Sequence, residues 1–187
     1  MKAIRHSLLA LTAFALSLPL QAADVFKLDG AHTTVSFTIT HLLISEVGGR
    51  FNDVAGEITF ADGAVTGAKA TIQAASVDTG NEGRDKHLRN PDFFEVEKYP
   101  TITFESTKVE KDGDKFAMTG KFTMHGVTKE IRLPVTVKGP IQDPWGKTRL
   151  AVSTELTLSR KDYGMDKMTP AVGDEVRIKI SAQGVKQ

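Results

Sequence analysis

Apolar and polar residues alternate along most of the chain, and this period of two constrains the fold more than any other feature. Successive side chains of a β-strand point to opposite faces, so such alternation marks a strand with one buried face. Val35, Phe37 and Ile39 share one face of the first clear strand, with serine and threonine between them. The pattern recurs eight times, with turn dipeptides such as Asp62-Gly63 between the strands. It predicts an all-β protein, either an eight-stranded antiparallel up-and-down barrel or a sandwich.

The alternation is interrupted at two places. Large apolar residues stand at odd positions over 35–39 and at Phe51, but at even positions over 54–60. This switch of parity predicts a β-bulge around Asn52 and Asp53. It is lost altogether around residues 84–98, where the composition predicts a short helical connection ended by Pro91.

The N-terminus has the features of a cleaved signal peptide. Two basic residues precede an apolar run of 11 residues, and small residues follow it. The predicted domains are therefore a signal peptide, 1–22, and a single barrel domain, 23–187. The apolar run is shorter than the roughly 20 residues that a membrane-spanning helix needs, so no integral membrane segment is expected after processing.

Composition excludes several classes of function. There is no cysteine, which removes disulfides and thiol chemistry. The chain has 24 basic and 23 acidic residues, and loss of Lys2 and Arg5 with the signal peptide changes the net charge from +1 to −1. This balance favours neither nucleic acid nor an anionic membrane surface as a partner.

The residues give little support for catalysis. No recognisable catalytic motif is present, and no histidine pair has a spacing that suits a metal ion. His41 and Thr154 are the chief polar members of the predicted inner face, which has no Asp, Glu, Lys or Arg. General acid–base chemistry needs titratable groups near one substrate atom. We therefore expect no enzyme activity, no catalytic residue and no metal site.

Whether such a barrel is hollow is left open by the residues alone. An eight-stranded barrel lies near the boundary between a packed interior and room for one ligand. Ala68, Ala70 and Gly120 are small, and Met118 and Met124 are flexible. These residues suit a cavity, but they also suit a solid core.

Several separated blocks of sequence resemble the YceI family. These blocks are Val77–Arg89, Asp92-Phe93-Phe94, Lys98-Tyr99-Pro100, His32–Leu42, Met118–Lys129 and Asp143-Pro144-Trp145-Gly146, and they follow the family's order over about 25–185. One departure is His125, at a hairpin position where an asparagine would be expected.

The resemblance implies a lipocalin-like eight-stranded barrel that is exported to the periplasm and holds a long polyisoprenoid or quinone-like lipid, with no other cofactor. The residues that the parity places inside then become the expected barrel lining: Val35, Phe37, Ile39, His41, Phe60, Ile72, Phe104, Met118, Phe122, Met124, Leu133, Val152 and Ile178. Head-group contacts are expected from Arg84, Lys86, His87 and Arg89, or near Arg160 and Lys161.

Three hypotheses follow for the function. The first is a non-catalytic carrier or store of a long-chain isoprenoid lipid in the periplasm. The second is a stress or partner-docking protein with a solid core. The third is a small enzyme that acts on an isoprenoid lipid. A homodimer is left open, although the pattern shows no exposed apolar patch that would force one.

Overall fold

The computed structural model describes residues 22–187, so the predicted signal peptide lies outside the described residues except for Ala22. The strands are β1 (Asp24–Leu28), β2 (Thr34–His41), β3 (Ser45–Phe51), β4 (Val54–Ala61), β5 (Ala64–Gln73), β6 (Val77–Asp78), β7 (Thr101–Asp112), β8 (Lys115–Met124), β9 (Val127–Gln142), β10 (Thr148–Ser159) and β11 (Val172–Lys186). One α-helix, α1, spans Glu82–Leu88, and 3-10 turns lie at Gly30–His32, Ala74–Ser76 and Lys161–Tyr163. No helix in this range is long and apolar enough to cross a membrane.

The strands close into a barrel with eight antiparallel positions, which confirms the predicted fold. Strands β1 and β2 both run along β11, with Phe26 opposite Lys186 and Val35 opposite Ile180. Strands β1 and β2 therefore lie end to end and together form one of the eight strands of the barrel wall. Strands β3 and β4 share the next position, and β5 and β6 share a third. Strands β7 to β11 occupy one position each, and β11 completes the ring against β1 and β2.

The predicted bulge at Asn52 and Asp53 is instead a break between two strands. Two backbone amides hold this break to the turn at Ala74–Ser76: the Asn52 amide donates to the Ser76 carbonyl at 3.1 Å, and the Asp53 amide donates to the side-chain oxygen Ser76 Oγ at 3.1 Å. Phe51 and Val54 therefore belong to separate strands, and the parity switches because the chain leaves the sheet between them.

The predicted helical connection is present, and it covers a gap in the wall. Strand β6 pairs with β3, but β6 and β7 share no ladder in the described part of the chain. The Asn81 side chain caps α1 by accepting a hydrogen bond from the Arg84 amide at 2.9 Å. After α1 the Phe94 ring packs edge-on against Phe51, with 5.6 Å between the centroids. Apolar packing by residues 79–100 thus replaces the missing strand contact.

An ionic network lies at the β1 end of the barrel. Arg149 Nε donates to Asp143 Oδ2 at 2.6 Å, and its Nη1 donates to Asp29 Oδ2 at 2.9 Å and to Gln183 Oε1 at 3.1 Å. The hydrogen bond from Arg149 is the largest cause that lowers the pKa of Asp143, and it does the same for Asp29. The network joins the β9–β10 hairpin to the start of the chain's described part and to β11.

This network predicts a pH-dependent effect of the substitution Asp143→Asn. The pKa of Asp143 in the folded protein is lower than the ordinary aspartate pKa of 3.8, so its carboxylate stabilises the fold at pH values above 3.8. This contribution is lost as the pH falls through the lower pKa of the folded state. The variant should unfold at lower urea than the parent at neutral pH, and the difference should shrink at about pH 3. Asp114→Asn, in an exposed turn, is the control. A difference that stays constant across this range would contradict the assignment.

Candidate functional site

The barrel encloses a cavity of about 560 Å³. This volume lies in the range of about 300–1,000 Å³ that is typical of small-molecule sites. The inward side chains of most strands form its wall, and residues after α1 and β10 complete it. Two clusters of buried residues, one around Val35 and Phe51 and one around Phe26 and Ile58, border it.

Most of the residues that the parity placed inside do lie on the cavity wall. These are Val35, Phe37, Ile39, His41, Ile72, Phe104, Met118, Phe122, Met124, Leu133, Val152 and Ile178. Their side chains share a face because the two-residue period continues through β2, β5 and β7 to β11. Whether they contact a ligand remains a prediction.

Phe60 is the exception, because it does not reach the cavity. The register of β4 against β5 shifts between Thr59 and Phe60. Beyond this shift the Phe60 ring packs edge-on against Phe26, with 6.1 Å between the centroids. Phe26 itself is fully buried, so aromatic side chains fill this part of the interior.

Other wall residues were missed by the sequence reasoning. They lie in β3, in the segment after α1 and in the loop after β10: Val47, Phe51, Phe93, Phe94, Met165 and Met168. In β3 a signal did exist, since Val47, Gly49 and Phe51 alternate. Gly49 has to be small, because a Cβ there would collide with the Phe37 ring and with Thr79. The two segments outside the strands have no period of two, so parity could not place them.

One polar atom on this wall has no partner. Thr154 Oγ1 is buried and makes no hydrogen bond to any residue of the described chain. Thr154 lies on β10 between Val152 and Leu156, which also line the cavity. A buried hydroxyl without a partner destabilises a protein.

Thr154→Val should therefore stabilise the unliganded protein. The substitution keeps the shape of the side chain and removes the unpaired hydroxyl, so we expect the free energy of unfolding to rise by about 1 kcal/mol. Urea denaturation of the lipid-free protein measures this change. Thr157→Val, at an exposed position of the same strand, should have little effect. A loss of stability in the Thr154 variant would mean that the hydroxyl has a partner after all.

The four predicted head-group residues divide into two pairs. Arg84 and His87 line the cavity, whereas Lys86 and Arg89 do not. The guanidinium of Arg84 donates to Thr79 through Nε and Nη2, at 2.7 and 2.8 Å, and Arg84 is exposed at the cavity mouth. His87 Nε2 lies 3.0 Å from Asp92 Oδ2.

Arg89 has a structural role instead. Its Nε donates to the Ala75 carbonyl at 2.8 Å and its Nη2 to the Val77 carbonyl at 2.9 Å. These bonds tie the end of α1 to the turn before β6. Arg89 does not line the cavity, and its role as a head-group contact stays a prediction.

Arg160 is the buried cation of the site, with 3 % of its surface exposed. Its guanidinium donates to four carbonyl groups, those of Met165, Lys167, Val172 and Gly173, at 2.6 to 3.0 Å, and to Thr169 Oγ1 at 3.1 Å. Burial lowers its pKa, and the nearby carboxylates Asp174 and Asp166 oppose this effect. Arg160 thus organises the loop between β10 and β11, part of which forms the cavity wall.

The charged residues on the wall do not form a general acid–base pair. The sequence predicted no charged residue on the inner face of the strands, and Arg84 on α1 and Arg160 after β10 reach the cavity from outside the strands. Glu57 and Lys69 alternate with the inward residues Ile58 and Ala68, so their side chains lie on the outer face of the barrel. Glu57 is paired with Lys69 at 2.9 Å, and Arg160 is bonded as described. Within residues 22–187 no group of three or more histidines and carboxylates is arranged to hold a metal ion. What the site can do chemically is enclose an apolar molecule and shield it from water.

Comparison with known proteins identifies the family. The model of the YceI-like domain matches residues 26–184, which is nearly the whole described chain. The chain belongs to the YceI family. Protein YceI of Escherichia coli O157:H7 is 41% identical to it over 170 residues, which is 89% of this chain and 88% of the relative.

Solved structures share the YceI fold. A crystal structure of the Campylobacter jejuni YceI protein has a TM-score of 0.72 and 34% identity, covering 79% of this chain and 90% of that one. A polyisoprenoid-binding domain from Saccharophagus degradans, implicated in plant cell wall breakdown, has a TM-score of 0.68 and 19% identity, covering 87% and 98%. At this identity the second similarity concerns the fold alone.

Proposed function

We propose that this YceI-family protein binds one long apolar lipid, an isoprenoid or a similar amphiphile, inside its barrel. The observation that carries the proposal is the cavity of about 560 Å³ whose wall is almost entirely apolar. The Saccharophagus degradans domain, which has the same fold, is described as binding polyisoprenoid. This supports the same ligand class here.

The energetics of apolar burial suit such a ligand. Removing a methylene group from water gains about 0.8 kcal/mol, so a five-carbon isoprene unit gains on the order of 4 kcal/mol before the cost of ordering the chain. Several units would bind without a polar anchor. The unpaired hydroxyl of Thr154 then offers a hydrogen bond to any polar atom of the ligand that lies at its level.

The proposed role is carriage or storage and not catalysis. The guanidinium of Arg160 on the cavity wall is held by carbonyl groups, and the Glu57 carboxylate lies on the outer face of β4, where it is paired with Lys69. We further propose that the protein works in the periplasm, because residues 1–22 have the composition of a cleaved signal peptide. The periplasm is an aqueous compartment between two membranes. A long lipid crosses it only when a protein shields its apolar chain from water.

Native mass spectrometry tests this function. The protein would be purified from the exported fraction without detergent, and any adduct would be extracted with organic solvent and identified. We expect a stoichiometric isoprenoid, quinone or related lipid. A clean lipid-free mass, together with no uptake of added polyprenol, would instead favour a stress or partner-docking protein whose cavity holds no lipid. Turnover of the extracted lipid by the purified protein would favour the enzyme.

A further inference from the structure

Three exposed apolar residues form the turn between β2 and β3. Leu42, Leu43 and Ile44 follow one another, and 73 % of Leu43 and 86 % of Ile44 are exposed. Met168, in the loop before β11, is also exposed. We name these four residues the mouth tip. It is an exposed apolar patch that the strand pattern did not reveal.

The backbone of the turn is unusual for these residue types. Leu42 has φ 50° and Leu43 has φ 63°, which is the left-handed region that glycine and asparagine favour in tight hairpins. Leucine pays a steric cost there. Both leucines are strained and more than half exposed, so their packing within the monomer offsets little of this cost, which points to a contact outside it.

The mouth tip is continuous with the wall of the cavity. His41 immediately precedes it, Val47 follows it closely, and both line the cavity. The Leu42 amide donates to the Ala171 carbonyl at 2.6 Å, which joins the turn to the loop that carries Met168. Met168 is both exposed and on the cavity wall. The tip therefore stands at the point where the cavity reaches the surface.

The charges at this end are compatible with phosphate head groups. The exposed Arg84 lies on the wall there, and Glu46, beside the turn, is paired with Arg177. The tip is also small: four side chains fall far short of the roughly 800 Å² per partner that a stable protein interface buries. A few apolar side chains are enough, however, for insertion between lipids.

We propose that the mouth tip inserts into the surface of a lipid bilayer and holds the cavity mouth against it. A lipid then passes between bilayer and barrel without exposing its chain to water. The proposal rests on the proposed lipid-binding function. Apolar insertion carries the contact, so it does not depend on net charge and should persist at high salt.

Vesicle flotation tests the contact, with phosphatidylethanolamine and phosphatidylglycerol vesicles and the full processed chain. We expect the parent protein to float with the vesicles at low and at high salt. Leu43→Ser/Ile44→Ser should weaken this binding about tenfold or more. Ile141→Ser/Trp145→Ser is the matched control, because these two exposed apolar residues lie on the β9–β10 hairpin at the opposite end. Equal loss in both variants, or loss in the control alone, would overturn the proposal.

Fluorescence gives a second readout, because Trp145 is the only tryptophan in the chain. In the Trp145→Phe/Ile44→Trp variant, vesicles should shift the emission to the blue, and brominated lipids should quench it. In the parent protein Trp145 should stay in water and show neither effect. A shift at Trp145 and none at position 44 would place the membrane contact at the wrong end.

Two measurements separate the possible failures. Uptake of polyprenol added from solvent, without vesicles, should be the same in the parent and in Leu43→Ser/Ile44→Ser. If neither takes it up, the proposed function fails; if both take it up and neither binds vesicles, the membrane contact alone fails. Sedimentation velocity completes the test, since a dimer that the tip variant abolishes would show that a second copy covers the tip and would overturn the proposal.

Discussion

Replacing Arg160 by methionine is expected to lower the free energy of unfolding by about 3–5 kcal/mol. The guanidinium is buried and donates to four carbonyl groups of the loop between β10 and β11. Methionine fills part of the same volume but leaves these oxygens without their donors, in bonds that are buried or partly buried. The loss should therefore greatly exceed that of an ordinary surface substitution.

Urea denaturation measures the effect, and Lys161→Met is the matched control. Lys161 is the next residue and is exposed, so its loss should change stability little. Arg160→Lys tests the geometry, because a lysine ammonium has three donors at one point and cannot satisfy acceptors spread around a planar fork. It should recover only part of the loss. A midpoint like that of the parent in Arg160→Met would show that the loop does not depend on this side chain.

Filling the cavity is expected to remove lipid binding while leaving the barrel folded. Ala70 lies on the wall, with Gly56 and Phe104 opposite it on the neighbouring strands. In Ala70→Phe the ring occupies space that the ligand would need, so bound polyprenol should fall about tenfold or more. Stability should hold or rise, because filling an apolar void adds contacts.

Retention of tritiated polyprenol after gel filtration measures this loss, and the thermal midpoint reports on the fold. Thr71→Phe adds the same ring at the next position, which does not line the cavity, and should bind as the parent does. If Ala70→Phe binds normally, the lipid occupies another site, and the barrel interior has no part in it.

The fold was largely predictable because a barrel repeats one rule. Every strand position has a buried face, so the period of two survives in the sequence even where a strand is broken. Strand β3 was missed because Gly48, Gly49 and Arg50 dilute its pattern. The break at Asn52 and Asp53 was detected as an irregularity, but its nature depends on bonds to Ser76, which is distant in sequence.

The site was predictable only in part. Parity identifies inward residues, but it cannot tell a hollow barrel from a filled one, because that depends on how side chains from opposite walls meet. Phe60 shows this limit, since a register shift and contact with Phe26 remove it from the wall. The roles of charged residues were harder still to predict. Arg89 and Arg160 are bonded to carbonyl groups that only the fold brings near them, so the sequence cannot distinguish them from free cations.

The missing ladder between β6 and β7 gives the barrel a seam. Around the rest of the circumference, adjacent strands are joined by backbone hydrogen bonds, and separating them would break several bonds at once. Beyond the short β5–β7 ladder, the two edges are joined by side-chain packing from Phe94 and its neighbours and by single hydrogen bonds, such as those from the Ala74 amide to Pro100 and from Arg89 to Ala75 and Val77. Widening the barrel interior for a bulkier ligand therefore requires the least free energy along this seam. The barrel can open there while its other strands keep their register.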